Sequence, residues 1–327
     1  RYTMNISTLA SKTFWHYRLR NGAIALGMAI GMAVITGALV TGDSVRQGLQ
    51  NLVKVRLGNV DLAVSSGDRY LTDSLAFRLS DRLQVPATPV LQLECSAPAG
   101  DGAIRLSKIQ IFGIDQHFRN VVGPATFTFP ANKNTVVISD NLAARLNVHV
   151  GDEILLRISK TGLIPMDAPF VSDAGNKISI RVTVGNIAGN ELHGRFSLRN
   201  TQTAPFNVFI DKDNLQHLTG LPSLSNRILI AGNKAIKAEQ VEQALQTERT
   251  LEDVGLKLSK HPLSGDWILQ SHRMFFDPPT FNALASVPSV KTQWFSYFVN
   301  EFQTNGHTSP YSFVSTLPGD HVQAGEV

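Results

Sequence analysis

One stretch near the N-terminus, Asn21–Gly42, constrains this chain more than any other because it contains no charged residue. In a helix that rises about 1.5 Å per residue, its length of about 22 residues corresponds to roughly 33 Å. The hydrocarbon core of a bilayer is about 30 Å thick, so the stretch can cross it once. No comparable stretch follows it in the sequence. The sequence therefore predicts one transmembrane helix at residues 21–42.

Residues 1–20 precede this span and contain no acidic residue. The basic residues of this leader are Arg1, Lys12, Arg18 and Arg20, and its aromatic residues include Phe14, Trp15 and Tyr17. Aromatic side chains next to basic ones are typical of the interface between membrane and water. We expect a short amphipathic helix on the membrane surface, with a disordered basic tail as the alternative.

A cleaved signal peptide is the main alternative to a permanent span. The basic leader fits it, but the apolar run is longer than the usual 7 to 15 residues or so of such a peptide. The run also ends in Leu39–Gly42, which offers no cleavage site flanked by small residues. These features favour an uncleaved helix.

The charges that flank the span predict its orientation. Arg18 and Arg20 lie just before it, and Asp43 is the first charge after it. Basic residues favour the cytoplasmic side, which predicts a cytoplasmic N-terminus and an extracytoplasmic remainder. Further basic residues beyond the span reduce this asymmetry, namely Arg46, Lys54 and Arg56.

The span is rich in small residues that recur at helical spacing. Ala23, Gly27, Gly31 and Gly37 include one GxxxG pattern. Small residues let a second helix approach closely, so these positions predict a helix-packing surface within the membrane.

Helical periodicity continues beyond Gly42. An apolar stripe follows at helical spacing, formed by Val45, Leu49, Leu52, Val53 and Leu57. Gly58 and Asn59 then provide a stop signal. Residues 43–58 are therefore predicted to form a stalk helix of about four turns that joins the span to an external domain.

Residues 59–327 mix short strand and helix patterns, which predicts an extracytoplasmic α+β domain of two subdomains on the long N-terminal helix. Strands are expected at 60–65, 90–95, 104–114, 136–138, 154–158, 178–187, 206–210, 227–230, 254–258 and 267–270, with a hairpin at 295–302 and 311–315 around Asn305-Gly306. Helices are expected at 72–83, from Ser139 or Asp140 to 146, at 211–219 and at 235–247, and a turn-rich excursion at 160–176.

Composition argues against nucleic-acid binding and against a fold that disulfide bonds hold together. Hydrophobic residues make up 43% of the chain and the formal net charge is +4. No block of Lys and Arg of the kind that follows a phosphate backbone is present, so nucleic acid is not an expected partner. The single cysteine, Cys95, cannot form an internal disulfide and is expected to be a half-buried strand residue.

Motifs for catalysis and cofactors are missing from the sequence. It contains no GxxxxGK[ST] loop for nucleotide phosphates, no HExxH, no GxSxG, and no pair of histidines at ligand spacing. We therefore assign no catalytic, cofactor-binding or metal-binding residue, and we expect any ATP that drives this protein to bind another chain.

Several stretches, in this order, resemble the FtsX-like or MacB-type permeases of ABC transporters. The stretches are the leader and span, Thr41–Leu49, Arg56–Val64, Val136–Leu146, Val150–Ile154, Phe206–Ile210 and Thr308–Val314. The resemblance implies a permease subunit whose membrane helix is followed by an extracytoplasmic core domain, in the bacterial plasma (inner) membrane. It also implies further spans after this chain, a second permease subunit as a homodimer or heterodimer partner, and a separate or fused ATP-binding subunit.

In such a permease, the stalk carries the motion that ATP binding causes in the membrane to the outer domain, for export or for handling lipoproteins or peptides. A single-pass anchored domain that binds or senses a ligand outside the cell is the alternative hypothesis.

Overall fold

The fold is described from a computed structural model. It covers residues 6–67, 69–99, 104–123, 133–159, 177–199, 203–232, 236–261, 265–271, 276, 278–288, 296–304 and 307–315. The predicted excursion at 160–176 and the turn at Asn305-Gly306 lie outside these residues.

Helices and strands are numbered in chain order. The helices are α1 (Ile6–His16), α2 (Arg18–Leu57), α3 (Asp73–Leu83), α4 (His117–Val122), α5 (Asp140–Leu146), α6 (Lys212–Thr219), α7 (Ala238–Glu248) and α8 (Pro278–Ala285). The strands are β1 (Val60–Ser65), β2 (Leu71–Thr72), β3 (Ala87–Ala99), β4 (Ile104–Ile114), β5 (Thr135–Ser139), β6 (Glu153–Ser159), β7 (Lys177–Ala188), β8 (Asn207–Asp211), β9 (Leu224–Ser225), β10 (Arg227–Ala231), β11 (Leu256–Lys260), β12 (Trp267–Ser271), β13 (Ser296–Thr304) and β14 (His307–Ser315).

Helix α2 is 40 residues long, which corresponds to about 60 Å. It begins at Arg18 and ends at Leu57, so span and stalk form one unbroken helix, as the periodicity of the sequence predicts. By length and composition it is the one helix among the described residues that could cross a membrane. No feature of the helix marks Gly42, so the membrane boundary there remains a prediction.

Six strands form a closed ring. Their order is β3–β4–β8–β5–β7–β6, and β6 pairs again with β3 through Cys95 and Ser96. Leu91, Leu93 and Cys95 alternate along β3 with polar residues, so every second side chain enters one core cluster. Helices α5 and α6 add apolar side chains to the same cluster. The result is a small barrel with a packed interior.

The N-terminal part of β3 belongs to a second layer. Residues 87–90 pair with β10, and β10 pairs with β1, both antiparallel. Helices α3 and α7 cover this layer with a core that includes Leu75, Leu79 and Val241. Because β1 follows α2 directly, this layer is where the long helix joins the domain.

Most predicted elements are present, with shifts of a few residues at their ends. Strand β4 has the predicted bounds and a backbone irregularity at Lys108, where φ is 61°. Several details of the prediction were wrong, and the two-residue strands β2 and β9 were not expected. Residues 252–254 form a turn of 3₁₀-helix before β11, Cys95 is buried rather than half-buried, and the short helices α4 and α8 were not expected.

The chain divides by its contacts into two units, residues 1–269 and 270–327. In the second unit, β13 and β14 pair in antiparallel register from Ser296 opposite Ser315 to Thr304 opposite His307. The predicted hairpin is thereby confirmed. The α+β class is also confirmed, whereas two subdomains within 59–327 remain a prediction.

Candidate functional site: the junction between the long helix and the domain

The C-terminal end of α2 meets the domain at a tight backbone junction. The N–H of Gly58 donates to the Lys54 carbonyl over 2.8 Å and closes the last turn of the helix. The next N–H, that of Asn59, donates to the carbonyl of Val122 at the end of α4 over 2.7 Å. The carbonyl of Asn59 accepts the N–H of Gly232 over 2.7 Å. The chain is therefore held on both sides as it leaves the helix.

Gly58 has a backbone conformation that other residues rarely adopt, with φ 60° and ψ −130°. A Cβ atom at this position would lie 2.0 Å from the Val122 carbonyl oxygen and 3.0 Å from Cε1 of His193. The sequence predicts Gly58 as a helix stop, and the structure shows in addition that only glycine lets α2 approach α4 this closely.

A second contact comes from the segment 189–199, which includes a 3₁₀ turn at Asn190–Leu192. The Nδ1 atom of His193 lies 3.2 Å from the Val55 carbonyl oxygen in the last turn of α2. That carbonyl is one of those that a helix leaves without an internal partner. The neighbouring Arg56 has 8% of its surface exposed, and a positive charge at this end of a helix is favoured by the helix dipole. We call α4 together with residues 189–199 the stalk-binding surface.

Four phenylalanines hold the stalk-binding surface on the barrel. Phe118 of α4 and Phe196 of the segment 189–199 contact each other edge to face, with ring centroids 5.6 Å apart. Phe196 contacts Phe112 of β4 in the same way, and Phe112 stacks on Phe209 of β8. All four side chains are fully buried, and Leu57 of α2 packs against their cluster. Both parts of the stalk-binding surface therefore share one core with two barrel strands.

Polar contacts fix the segment 189–199 further. The buried side chain of Asn207 donates from Nδ2 to the carbonyls of Gly194 (3.0 Å) and Phe196 (2.7 Å). Arg195 makes two hydrogen bonds of 2.9 Å with the carboxylate of Asp140 at the start of α5. These bonds from the Arg195 guanidinium lower the pKa of Asp140.

The other end of α4 is anchored by a buried charge cluster. Asp115 accepts the N–H of His117 over 2.9 Å, and its second oxygen lies 3.0 Å from Nζ of Lys212. The same Nζ lies 3.0 Å from the carboxylate of Asp73 at the start of α3. Burial alone would lower the pKa of Lys212, but the two carboxylates outweigh burial and raise it. Helices α3, α4 and α6 thus meet at one ammonium group.

The helix-packing residues predicted within the span lie exposed on α2. Apart from the neighbouring backbone of α2 itself, a Cβ atom added at Gly27, Gly31 or Gly37 would meet no described atom within 4 Å, and Ala23 is likewise exposed. The flanking charges Arg18, Arg20 and Asp43 are also exposed, and Arg20 lies over the ring of Tyr17 at 4.5 Å. None of these residues is brought to the junction, and their predicted roles in packing and topology remain predictions.

The predicted stalk face divides into two parts. Leu57 packs against the phenylalanine cluster, whereas four residues stay exposed, namely Val45, Leu49, Leu52 and Val53. Sequence reasoning missed His193, Val122 and Asn207, because nothing local in the sequence shows that segments more than 60 residues away meet the end of α2.

Geometry and family agree on the class of protein. A membrane-length apolar helix continues without a break into an α+β domain, which is the arrangement of a domain anchored to a membrane. The chain matches the family of MacB-like periplasmic core domains over residues 22–248 and belongs to it. The resemblance to MacB-type permeases that the sequence suggested is confirmed, and this family is a component of ABC-type transporter permeases.

Two solved structures that match this chain are domains of transport proteins. The periplasmic region of MacB from Actinobacillus actinomycetemcomitans is 10% identical, with 74% of this chain and 100% of that chain covered and a TM-score of 0.37. The extracellular domain of the noncanonic ABC-type transporter YknZ from Gram-positive bacteria is 11% identical, with 64% and 98% covered and a TM-score of 0.35. No curated protein matches the chain.

Proposed function

We propose that this chain is a permease subunit of an ABC transporter in which α2 transmits ATPase-driven motion from the membrane to the extracytoplasmic domain. The observation that carries the proposal is the junction at Gly58 and Asn59. There the long helix is bonded through its backbone to α4 and to the segment 189–199 without an intervening linker.

Motion of α2 is transmitted to the domain only if the stalk-binding surface does not deform when the helix moves. The stalk-binding surface shares the buried phenylalanine cluster with the barrel, and α4 is held at its far end by Asp115 and Lys212. Closely packed interiors have low compressibility, so displacement of α2 is expected to move the domain as a body.

Helix α2 also carries a continuous surface for a partner. With about 100° between successive residues, Gly27, Gly31, Val45, Leu49 and Leu52 fall within a sector of about 60°. Two glycines of the span and three residues of the apolar stripe therefore lie on one side of one helix, whereas Gly37 and Leu57 lie about 80° and 120° from Gly27 around it. This supports a second membrane helix along α2, contributed by a further permease segment or by a second permease subunit.

The remaining parts of the proposal follow from the flanking charges and from the family. Arg18 and Arg20 before the span support a cytoplasmic N-terminus and an extracytoplasmic barrel. ATP would be bound by a separate or fused ABC subunit, and the lipid contacts would be made by α1 and the exposed apolar side chains of α2. Transport of lipoproteins, peptides or drugs is the type of activity that this arrangement can drive.

Spin labels on the stalk test the proposal. Cysteine replaces Leu49 in the complete transporter, reconstituted with its ATP-binding subunit, and the distance between the labels of two protomers is measured by pulsed EPR. Cys95 is buried, so the wild-type thiol does not interfere. We expect a change of distance when ATP is trapped with vanadate. An identical distance in both states would contradict a moving stalk, and the absence of any label pair would contradict a homodimer.

A further inference from the structure

Three arginines lie along the face of β3 that points away from the barrel core; at Val90 this face belongs to the buried phenylalanine cluster that the stalk-binding surface shares. Their positions follow from strand pairing, because residues opposite each other on neighbouring strands project to the same face. Arg227 of β10 lies opposite Val90, Arg157 of β6 opposite Ser96, and Arg105 of β4 opposite Pro98. At about 3.3 Å per residue, these positions cover about 26 Å of β3.

A fourth arginine joins this face from the segment 189–199. Arg199 lies 2.7 Å from the carboxylate of Glu94, which projects to the same side of β3 as Ser96. Both side chains are about half exposed, at 56% and 51%. We call Arg105, Arg157, Arg199 and Arg227 the arginine stripe.

Within the part of the chain that the structure describes, the arginine stripe carries more positive charge than its neighbours neutralise. Arg105 donates two hydrogen bonds to the hydroxyl of Ser96, and Arg227 donates to Gln92, so both bind neutral groups. Among the described residues, Glu94 is the one carboxylate within salt-bridge distance of the stripe. Burial and the nearby charge of Arg199 lower the pKa of Arg227, which indicates that the positive charges act on one another.

We propose that the arginine stripe binds an extended acidic segment of a partner protein, with carboxylates at alternate positions. The spacing supports this class of ligand. Positions 94, 96 and 98 of β3 follow each other at about 7 Å, which is also the distance between alternate side chains of an extended chain. A single phosphate is too small to contact guanidinium groups spread over such a length, whereas a row of carboxylates can pair with each in turn. The proposal goes beyond the transport function and does not depend on it.

Glu94 allows a test in which a substitution should strengthen binding of the acidic segment instead of weakening it. It lies in the middle of the stripe and would face the carboxylates of an acidic segment. Replacing it by glutamine removes this repulsion and releases Arg199 for the ligand. Glu94→Gln should therefore strengthen binding, whereas loss of the arginines should weaken it.

The experiment uses the full chain in an uncharged detergent and two fluorescein-labelled peptides of equal charge, measured by fluorescence anisotropy at fixed ionic strength. In one peptide glutamate alternates with threonine, and in the other the glutamates form one block. The test variant is R105Q/R157Q/R199Q, which changes exposed side chains only. The matched control is R82Q/R145Q/R249Q, which removes the same charge from exposed positions elsewhere.

We expect the alternating peptide to bind more tightly than the block peptide. Exposed ion pairs contribute about 0.2 to 1 kcal/mol each, so the test variant should weaken binding about 3-fold to 100-fold. The control variant should weaken peptide binding less than the test variant does, and Glu94→Gln should strengthen peptide binding. Equal binding of both peptides, equal loss in both triple variants, or no binding would overturn the proposal. Displacement of the peptide by inorganic phosphate or glycerol phosphate at comparable concentration would also overturn it, in favour of a phosphate-bearing ligand.

Discussion

Asn59 donates its backbone N–H to the carbonyl oxygen of Val122 over 2.7 Å, and this bond joins the end of the long helix to α4. It is made by main-chain atoms and therefore survives most side-chain changes. Its geometry depends instead on the residue before it, since Gly58 brings the chain out of the helix and against the Val122 carbonyl.

Replacing Gly58 by alanine should separate the helix from α4. The positive φ alone costs about 1 kcal/mol for a residue with a Cβ atom, and the overlap with the Val122 carbonyl adds about 1 to 3 kcal/mol. Urea unfolding followed by circular dichroism measures the loss. Gly220→Ala is the matched control, because Gly220 has φ 75° and open space around the added atom. An equal loss of unfolding free energy in the two variants would show that the close approach at Gly58 does not affect stability.

Lys212→Met should lower the free energy of unfolding by about 3 to 5 kcal/mol, because it leaves Asp73 and Asp115 without their buried partner. The side chain of Lys212 is 5% exposed, whereas the control Lys257→Met alters an exposed residue and should change stability by less than about 0.5 kcal/mol.

The pH dependence of the same variant has a defined sign. The pKa of Lys212 is raised in the folded protein, so its contribution is complete below the unfolded value of about 10.4 and is lost as the pH rises through the folded value. Unfolding free energies measured at increasing alkaline pH should therefore fall more steeply for the wild type than for Lys212→Met. Parallel curves would contradict the role of the ammonium group.

Arg195→Gln should loosen the segment 189–199 from α5. The pair with Asp140 is partly exposed, so we expect a loss of about 1 kcal/mol or less at neutral pH. The pKa of Asp140 is lowered in the folded protein, so its contribution is present above about pH 3.9 and is lost as the pH falls through the folded value. An NMR titration of the Asp140 carboxyl should show a higher pKa in the variant; an unchanged pKa would contradict this assignment.

Within the membrane, Gly27→Leu or Gly31→Leu should impair assembly of the permease or its coupling to ATP hydrolysis while insertion is retained. A leucine side chain would hold a second helix away from the small-residue face. Ala25→Leu is the control, since position 25 lies about 160° from Gly27 around the helix. Crosslinking and ATPase rates of the reconstituted transporter measure both effects. Unchanged values in the glycine variants would identify the segment as a plain anchor.

The sequence by itself determined the features that have a strong local pattern. An uncharged run of membrane length, an apolar stripe at helical spacing and a terminal glycine predict α2 and its end because these signals act between near neighbours. Alternation along β4 and β7 gives their bounds closely for the same reason. The order of motifs also led to the family, which the match over residues 22–248 confirms.

Tertiary structure alone decided how these elements act together. Closure of the barrel by β3 and β6, the partners of Lys212, and the approach of His193 to Val55 all join residues that are distant in the chain. Asn207 reads in the sequence as one more strand residue, yet its buried amide fixes the segment that touches α2. Such contacts form only when the chain is folded, because the fold decides which segment lies beside a buried donor such as Nδ2 of Asn207.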